Sequence, residues 1–211
     1  MPNSRDIPLE HDGYYHIYNR GINGTSLFYI PENYEHFLRL YEKYIDPIAD
    51  TYAWCLMGNH FHFLVRIKMG DEIDLNLLPN PVRVQNPDRV VKRLKPPHRY
   101  FSDLFNSYSQ AINKQQKRTG SLFESPFHRI PINSDKYFQN LVIYIHQNPV
   151  HHGFTDDFRD YPWSSYNSII SDKPTKLKRS EVLKWFDDCQ NFTHCHSTLK
   201  NFDTLSHLVV E

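Results

Sequence analysis

Residues 51–68 restrict the fold of this chain more than any other part of the sequence. Residues 51–57 are rich in aromatic and β-prone side chains, and the run HFHFLVRIK over residues 60–68 has the length and composition of a second strand. Between them, Gly58-Asn59 is a strong turn signal. The sequence therefore predicts two antiparallel strands joined by a tight turn.

Further elements on both sides of this hairpin predict the fold class. Residues 14–20 alternate like a strand, and residues 122–132 have strand composition. Apolar spacing predicts helices over residues 31–48, 100–118 and 136–148, and Pro149 and Gly153 are expected to end the last of them. The order strand, helix, strand, strand, helix, strand, helix is typical of an α+β fold with a ferredoxin-like antiparallel sheet and helices packed on it.

The chain length of 211 residues suits one compact domain rather than two, and we place that domain at residues 1–170. Residues 70–97 contain five of the 14 prolines and show no sustained period, so we expect a long, mobile insertion there. Composition changes after about Ser171, and Ser180 begins an amphipathic segment that reaches Phe186. These features predict a helical C-terminal appendage over residues 171–211.

Composition argues against two classes of protein. No 18 apolar residues run together, and no apolar stretch follows the N-terminus, so we expect neither a membrane span nor a signal peptide. The three cysteines are odd in number and mostly far apart, which favours a reducing compartment over a disulfide framework. We therefore expect a cytoplasmic protein.

Charge is balanced in total but uneven along the chain. The sequence has 24 Lys and Arg against 24 Asp and Glu, so total charge does not argue for a nucleic-acid partner. Residues 89–118 nevertheless carry one acidic residue, Asp103, and the basic residues Arg89, Lys92, Arg93, Lys95, Arg99, Lys114, Lys117 and Arg118. Such a local excess can bind phosphate groups, although an ordinary solvated helix face has the same composition.

His60 and His62 form the first candidate site. Side chains at i and i+2 of a strand project from the same face, so the two imidazoles are expected to lie side by side. Two neutral imidazoles in this arrangement supply half of a divalent-metal site. The alternative is a pair of polar residues on the wetter face of a sheet.

Tyr144 and Asn148 form the second candidate site. Residues four apart on a helix share a face, so the phenol and the carboxamide are neighbours, and the Asn148 oxygen can reach a metal near the hydroxyl. A tyrosine hydroxyl can attack a phosphodiester whose phosphate is polarised by a metal. Taken alone, a tyrosine on a helix is more simply a core residue.

Five longer motifs follow one another over residues 14–166. They are YHIYNRG at 15–21, AWCLMGNHFHFLV at 53–65, GSLFESPF at 120–127, SDKYFQNLVIYIHQNPVHHGF at 134–154 and DYPWSSY at 160–166. In this order and spacing they resemble the single-tyrosine HUH transposases, and most closely the REP-associated tyrosine transposases. The whole series is more specific than any one motif.

The resemblance implies the chemistry of the site. It implies an HUH-type domain that binds single-stranded or hairpin DNA, with His60 and His62 holding the metal and Tyr144 as nucleophile. Mg²⁺ or Mn²⁺ is the expected metal. In some relatives a glutamine four residues after the tyrosine completes the metal site, and here that position is Asn148, one methylene shorter.

The implied reaction is metal-dependent cleavage of single-stranded DNA and strand transfer through a 5′-phosphotyrosine intermediate, as in DNA transposition and recombination. For backbone contacts to the DNA we single out Arg99, Lys114, Lys117 and Arg118. The sequence leaves open whether the protein acts as a monomer or a homodimer.

Two rival functions fit the same residues. A DNA- or RNA-binding protein on this scaffold, without cleavage, needs the basic segment and the aromatic residues but not Tyr144. A histidine-metal hydrolase uses an activated water and forms no covalent intermediate. His151 and His152 are further candidates for phosphate contact, and a loose cluster of metal-binding residue types lies at Cys189, His194, Cys195 and His196.

Overall fold

The computed structural model describes residues 6–79, 82–86 and 89–198. The strands are β1 (Tyr14–Arg20), β2 (Ala49–Met57), β3 (His60–Ile67), β4 (Val82–Asn86), β5 (Arg89–Arg93) and β6 (His128–Ile132). The helices are α1 (Pro31–Tyr44), α2 (Pro97–Gln115), α3 (Asp135–His151), α4 (Tyr166–Ile170), α5 (Arg179–Trp185) and α6 (Cys189–Thr198). None of the helices in these ranges is long and apolar enough to cross a membrane.

The main sheet has four strands in the order β2-β3-β1-β6, and every neighbouring pair is antiparallel. In the central pair, Tyr18 of β1 lies opposite His62 of β3. Two strand-helix-strand units, β1-α1-β2 and β3-α2-β6, build this order. It is the ferredoxin-like arrangement, so the predicted α+β fold class is confirmed.

Helices α1 and α2 cover one face of the sheet. Because side chains alternate along β3, Phe61 and Phe63 point to this face and His60 and His62 to the other. The Phe61 ring lies 5.2 Å from that of Phe37 on α1, centre to centre. These rings are fully buried and form the middle of an aromatic core.

Helix α3 covers the opposite face and shares a core with α5 and α6. Leu141 and Ile145 of α3 are completely buried in one cluster with Leu64 of β3. Val182 of α5 and Phe192 of α6 belong to the same cluster. The C-terminal helices predicted from the sequence therefore form part of the main core instead of a separate appendage. Residues 199–211 of that segment lie outside the described residues.

Several predicted boundaries differ from the structure for local reasons. Helix α1 ends at Tyr44, before the predicted residue 48. Helix α2 spans Pro97–Gln115 rather than residues 100–118, since Lys117 adopts a left-handed conformation with φ 52° that ends the helix. Strand β6 begins only at His128, because residues 122–127 form an irregular stretch before it.

One expectation about proline was wrong. Pro149 does not end α3, which continues to His151 although a proline removes one helical hydrogen bond. Gly153 closes the helix with a positive φ of 68°. Within the expected irregular insertion, β4 and β5 pair as an antiparallel hairpin. Prolines 81 and 87 of that insertion lie outside the described residues.

Candidate functional site

His62 lies at the centre of a row of rings on the α3 face of the sheet. It is nearly fully buried, and its Nδ1 is 2.9 Å from Nε2 of His16 on β1. The Tyr18 ring is stacked against the His62 ring at 5.6 Å. Since Nδ1 is engaged with His16, Nε2 is the nitrogen through which His62 can bind a metal.

His16 was not predicted as part of the site. A signal for it exists, because the alternation of β1 places His16 on the same face as Tyr14 and Tyr18. Only the pairing of β1 with β3, however, brings it beside His62. In metal sites the second nitrogen of a histidine ligand is held by a partner that fixes the ring, and His16 has that position here.

One ring nitrogen of His60 is buried with a free lone pair among the described residues. Its Nδ1 is 2.7 Å from Oδ1 of Asn59, and because an amide oxygen only accepts, Nδ1 must donate the hydrogen. Nε2 is then the unprotonated nitrogen. It is buried, and none of the described residues gives it a hydrogen bond. A buried imidazole nitrogen in this state is suited to bind a metal ion.

The Asn148 side chain likewise lacks hydrogen-bond partners among the described residues, at both of its polar atoms. Its side chain is 0% exposed, and neither amide atom has a hydrogen-bond partner among the described residues. The carboxamide lies next to the His60 imidazole, and this contact opposes the lowering of the His60 pKa. An unpaired polar group costs about 1–3 kcal/mol when buried, so a native structure requires a reason for it. A metal bound by the amide oxygen would supply one.

Burial keeps both strand histidines neutral. It lowers the pKa of His60 to about 4, with a further lowering from His152 and an opposing effect of Asn148. Burial, followed by the neighbouring histidines, lowers the pKa of His62 well below its usual value. Neutral imidazole is the form that binds metals.

The donor set suits a divalent ion only if a carboxamide is counted. Within residues 6–79, 82–86 and 89–198, no three His, Cys, Asp or Glu side chains form a metal-binding group. His60 and His62 therefore need a third donor of another type, and the Asn148 oxygen is adjacent. The two nitrogens and one oxygen leave positions for oxygen atoms of a substrate or water.

Tyr144 lies one helical turn before Asn148 on α3. Its ring centre is 5.5 Å from that of His62, with the rings nearly perpendicular, and 6.3 Å from that of His16. The side chain is 6% exposed. The structure thus brings Tyr144, His60, His62 and Asn148 of one chain into a single cluster.

The predicted DNA-binding residues lie elsewhere. Helix α2 packs in the aromatic core on the sheet face opposite to His62. Arg99 and Lys114 are exposed at its two ends, about 22 Å apart at 1.5 Å per residue. Lys117 is exposed beyond the helix, while Arg118 donates to Oδ1 of Asn113 and to the carbonyl of Ser121. The structure does not bring these four side chains to the histidines.

The cluster at residues 189–196 is not arranged around a metal. His196 is buried, with Nδ1 2.8 Å from the Phe192 carbonyl and Nε2 2.9 Å from Nδ1 of His146 on α3. Both nitrogens are therefore used. Cys189 is exposed, and Cys195 Sγ contacts Oδ1 of Asn191. His196 instead ties α6 to α3.

The two histidines at the C-terminal end of α3, His151 and His152, have different surroundings. The His152 ring centre is 4.6 Å from that of His60, so His152 belongs to the edge of the site. His151 is exposed at the end of the helix. The adjacency of His152 to His60 follows from the docking of α3 on the sheet, which the sequence does not specify.

Comparison with known proteins places the geometry in context. No protein-family model matches the sequence. A curated protein of Haemophilus influenzae (strain ATCC 51907 / DSM 11121 / KW20 / Rd), named "Putative REP-associated tyrosine transposase", is 26% identical over 124 residues, which cover 57% of this chain and 61% of that protein. The sequence is similar to a REP-associated tyrosine transposase. The resemblance predicted from the five motifs is thereby confirmed.

A solved structure shares the fold of this chain. A solved structure described as "Structure of the REP associates tyrosine transposase bound to a REP hairpin" superposes with a TM-score of 0.55, covering 82% of this chain and 89% of that one. Its sequence is 16% identical, so this likeness establishes a shared fold. The chain spans 61% of the length of the curated relative it matches.

Proposed function

We propose that this protein is a metal-dependent DNA-processing enzyme that cleaves single-stranded or hairpin DNA and transfers the strand through a phosphotyrosine at Tyr144. The observation that carries the proposal is a pair of buried groups that have no hydrogen-bond partner among the described residues, Nε2 of His60 and the Asn148 carboxamide, next to neutral His62. A purely structural role leaves these groups without a reason for their burial. Similarity to the REP-associated transposases supports the same reading.

His60, His62 and Asn148 would hold the metal. Mg²⁺ or Mn²⁺ bound there supplies Lewis-acid polarisation of a phosphate oxygen and stabilises the negative charge that develops on it. His16 and Asn59 orient the two imidazoles through their Nδ1 atoms. These contacts leave the Nε2 atoms as the ligating nitrogens.

Tyr144 acts as the nucleophile in this proposal. Its phenol oxygen forms a bond to phosphorus, and the bond between phosphorus and the 3′-oxygen breaks. The phenol proton passes to solvent, and the departing 3′-oxygen takes up a proton to become a hydroxyl. Attack by a second 3′-hydroxyl on the phosphotyrosine reverses these changes and joins the strands, so no bond energy is lost between the two steps.

The backbone of the DNA would contact basic side chains outside this cluster. The side chains of Arg99, Lys114 and Lys117 are exposed to solvent, so they can bind DNA phosphates without any change in the fold. Arg118 differs, because its guanidinium already holds the loop after α2. Contacts through Arg99 and Lys114 require a DNA that extends beyond the cleavage site.

The test is formation of a covalent complex. The full chain is incubated with a library of DNA hairpins that carry single-stranded flanks, with Mn²⁺ or with a chelator, and analysed on a denaturing gel. We expect a protein-DNA adduct only with the metal. Cleavage without an adduct would identify a water-dependent hydrolase, and binding without cleavage would identify a nucleic-acid-binding protein.

A further inference from the structure

An exposed aromatic ring stands at the edge of the candidate metal site. Phe154 follows the turn that ends α3, and its side chain is 44% exposed. Its ring centre lies 6.5 Å from that of His60. Isolated exposed hydrophobic residues are common on protein surfaces, so exposure alone carries no function. The first reason to consider a function for Phe154 is its position beside His60, a candidate metal ligand.

The ring is also fixed in place. The Phe154 amide donates to the carbonyl of Pro149 at 2.8 Å, and Gly153 before it has a positive φ that side chains disfavour. On its inner side the ring rests on the β2–β3 turn, where a Cβ at Gly58 would lie 3.2 Å from a ring carbon. The absence of a side chain at Gly58 leaves room for the phenyl ring.

The surroundings favour a flat, partly polar ligand over an apolar protein surface. His151 and His152 precede Phe154 and interrupt any continuous apolar patch. The exposed large hydrophobic residue nearest in sequence is Val150, on the last turn of α3. A fixed aromatic ring with one exposed face beside polar groups is suited to stack against one nucleobase.

We propose that Phe154 stacks against an unpaired nucleobase of the nucleotide next to the scissile phosphate, and so positions the DNA strand over His60. This inference rests on the proposed function, because it takes the phosphate to be bound at the histidines. Stacking needs an exposed base face, which a nucleotide within a duplex does not offer. Since every base has such a face, the subsite tolerates changes of sequence but not loss of the base.

The experiment combines protein variants with abasic DNA. Phe154→Leu keeps an apolar side chain against Gly58 and removes the aromatic face, while Phe154→Trp retains an aromatic face. Each protein is tested on an intact DNA hairpin with single-stranded flanks. It is also tested on a series of the same DNA, each member of which has one abasic nucleotide at a different position. Both the dissociation constant and the rate of adduct formation are measured, and thermal unfolding verifies the fold.

We expect Phe154→Leu to weaken binding to intact DNA about tenfold, within the range measured for one stacked base. With the abasic nucleotide at one position, the wild type should also bind about tenfold more weakly, while the affinity of Phe154→Leu should not fall further. Phe154→Trp should behave like the wild type on both DNAs. An equal loss on every substrate, or no loss, would overturn the inference. The binding assay does not depend on cleavage. Absence of any adduct would therefore contradict the proposed function, and the binding data would still test the stacking.

Discussion

The buried contact between His146 on α3 and His196 on α6 should make the stability of this protein depend on pH. Substitution of His196 tests this expectation. The chain of hydrogen bonds fixes each proton. His196 Nδ1 donates to the Phe192 carbonyl, so its Nε2 accepts from Nδ1 of His146. His146 Nε2 then accepts from the Ser165 hydroxyl. Both histidines are neutral in this arrangement, and a proton added to Nε2 of His196 would face the N–H of His146 Nδ1.

The magnitude follows from the pKa of His196. Burial lowers that pKa from 6.5 to about 4, although the Phe192 carbonyl acts in the opposite direction. Because the unfolded chain binds the proton more tightly, the stabilisation is complete above about pH 6.5 and is lost as the pH falls towards 4. The difference between the two pKa values corresponds to about 3 kcal/mol of unfolding free energy for this one group.

His196→Gln removes the titrating group and keeps an acceptor near the position of Nε2. Urea unfolding at about pH 7.5 and about pH 4.5, at constant ionic strength, should show that the variant loses about 2.5 kcal/mol less than the wild type between the two conditions. His194→Gln is the matched control, because His194 is exposed on the same helix, and it should follow the wild type. Identical losses in wild type and His196→Gln would refute the reasoning.

Three further changes test the candidate site and the basic residues outside it. His62→Ala should reduce adduct formation by at least about 100-fold, with single-stranded DNA affinity within a few-fold of wild type, in parallel cleavage and binding assays, because phosphate contacts supply most of the affinity. Asn148→Leu should raise the stability of the metal-free protein by about 1 kcal/mol in urea unfolding and weaken Mn²⁺ binding in titration calorimetry, since it replaces an unpaired buried amide. Removing Lys114 and Lys117 together should lower the slope of the salt dependence of binding by about 1.4, at about 0.7 per contact on a single strand.

Local sequence signals were sufficient for the central hairpin and for β1. The turn at Gly58-Asn59 and the alternation over β3 specify both strands and the face on which His60 and His62 lie. The spacing of Tyr144 and Asn148 similarly places them on one face of α3. In each case the determining contacts are close in the sequence, so the pattern alone predicts the local structure.

Contacts between distant segments were not predictable in this way. His16 joins His62 only through strand pairing, and His196 reaches His146 only because α6 packs on α3. The helical pattern at the C-terminus shows an apolar face but not the surface that it covers. For the same reason, the grouping of the basic residues in the sequence gave no sign that α2 lies on the sheet face opposite to the histidines.

The position of the covalent bond tests the central claim most directly. Trapped protein-DNA complexes are digested, and the modified peptide is identified by mass spectrometry. We predict that the nucleotide is attached to Tyr144, that Tyr144→Phe retains DNA and Mn²⁺ binding but forms no adduct, and that Tyr137→Phe on the same helix remains active. Attachment to Tyr137, Tyr161 or Tyr166, or adduct formation by Tyr144→Phe at the wild-type rate, would contradict the account.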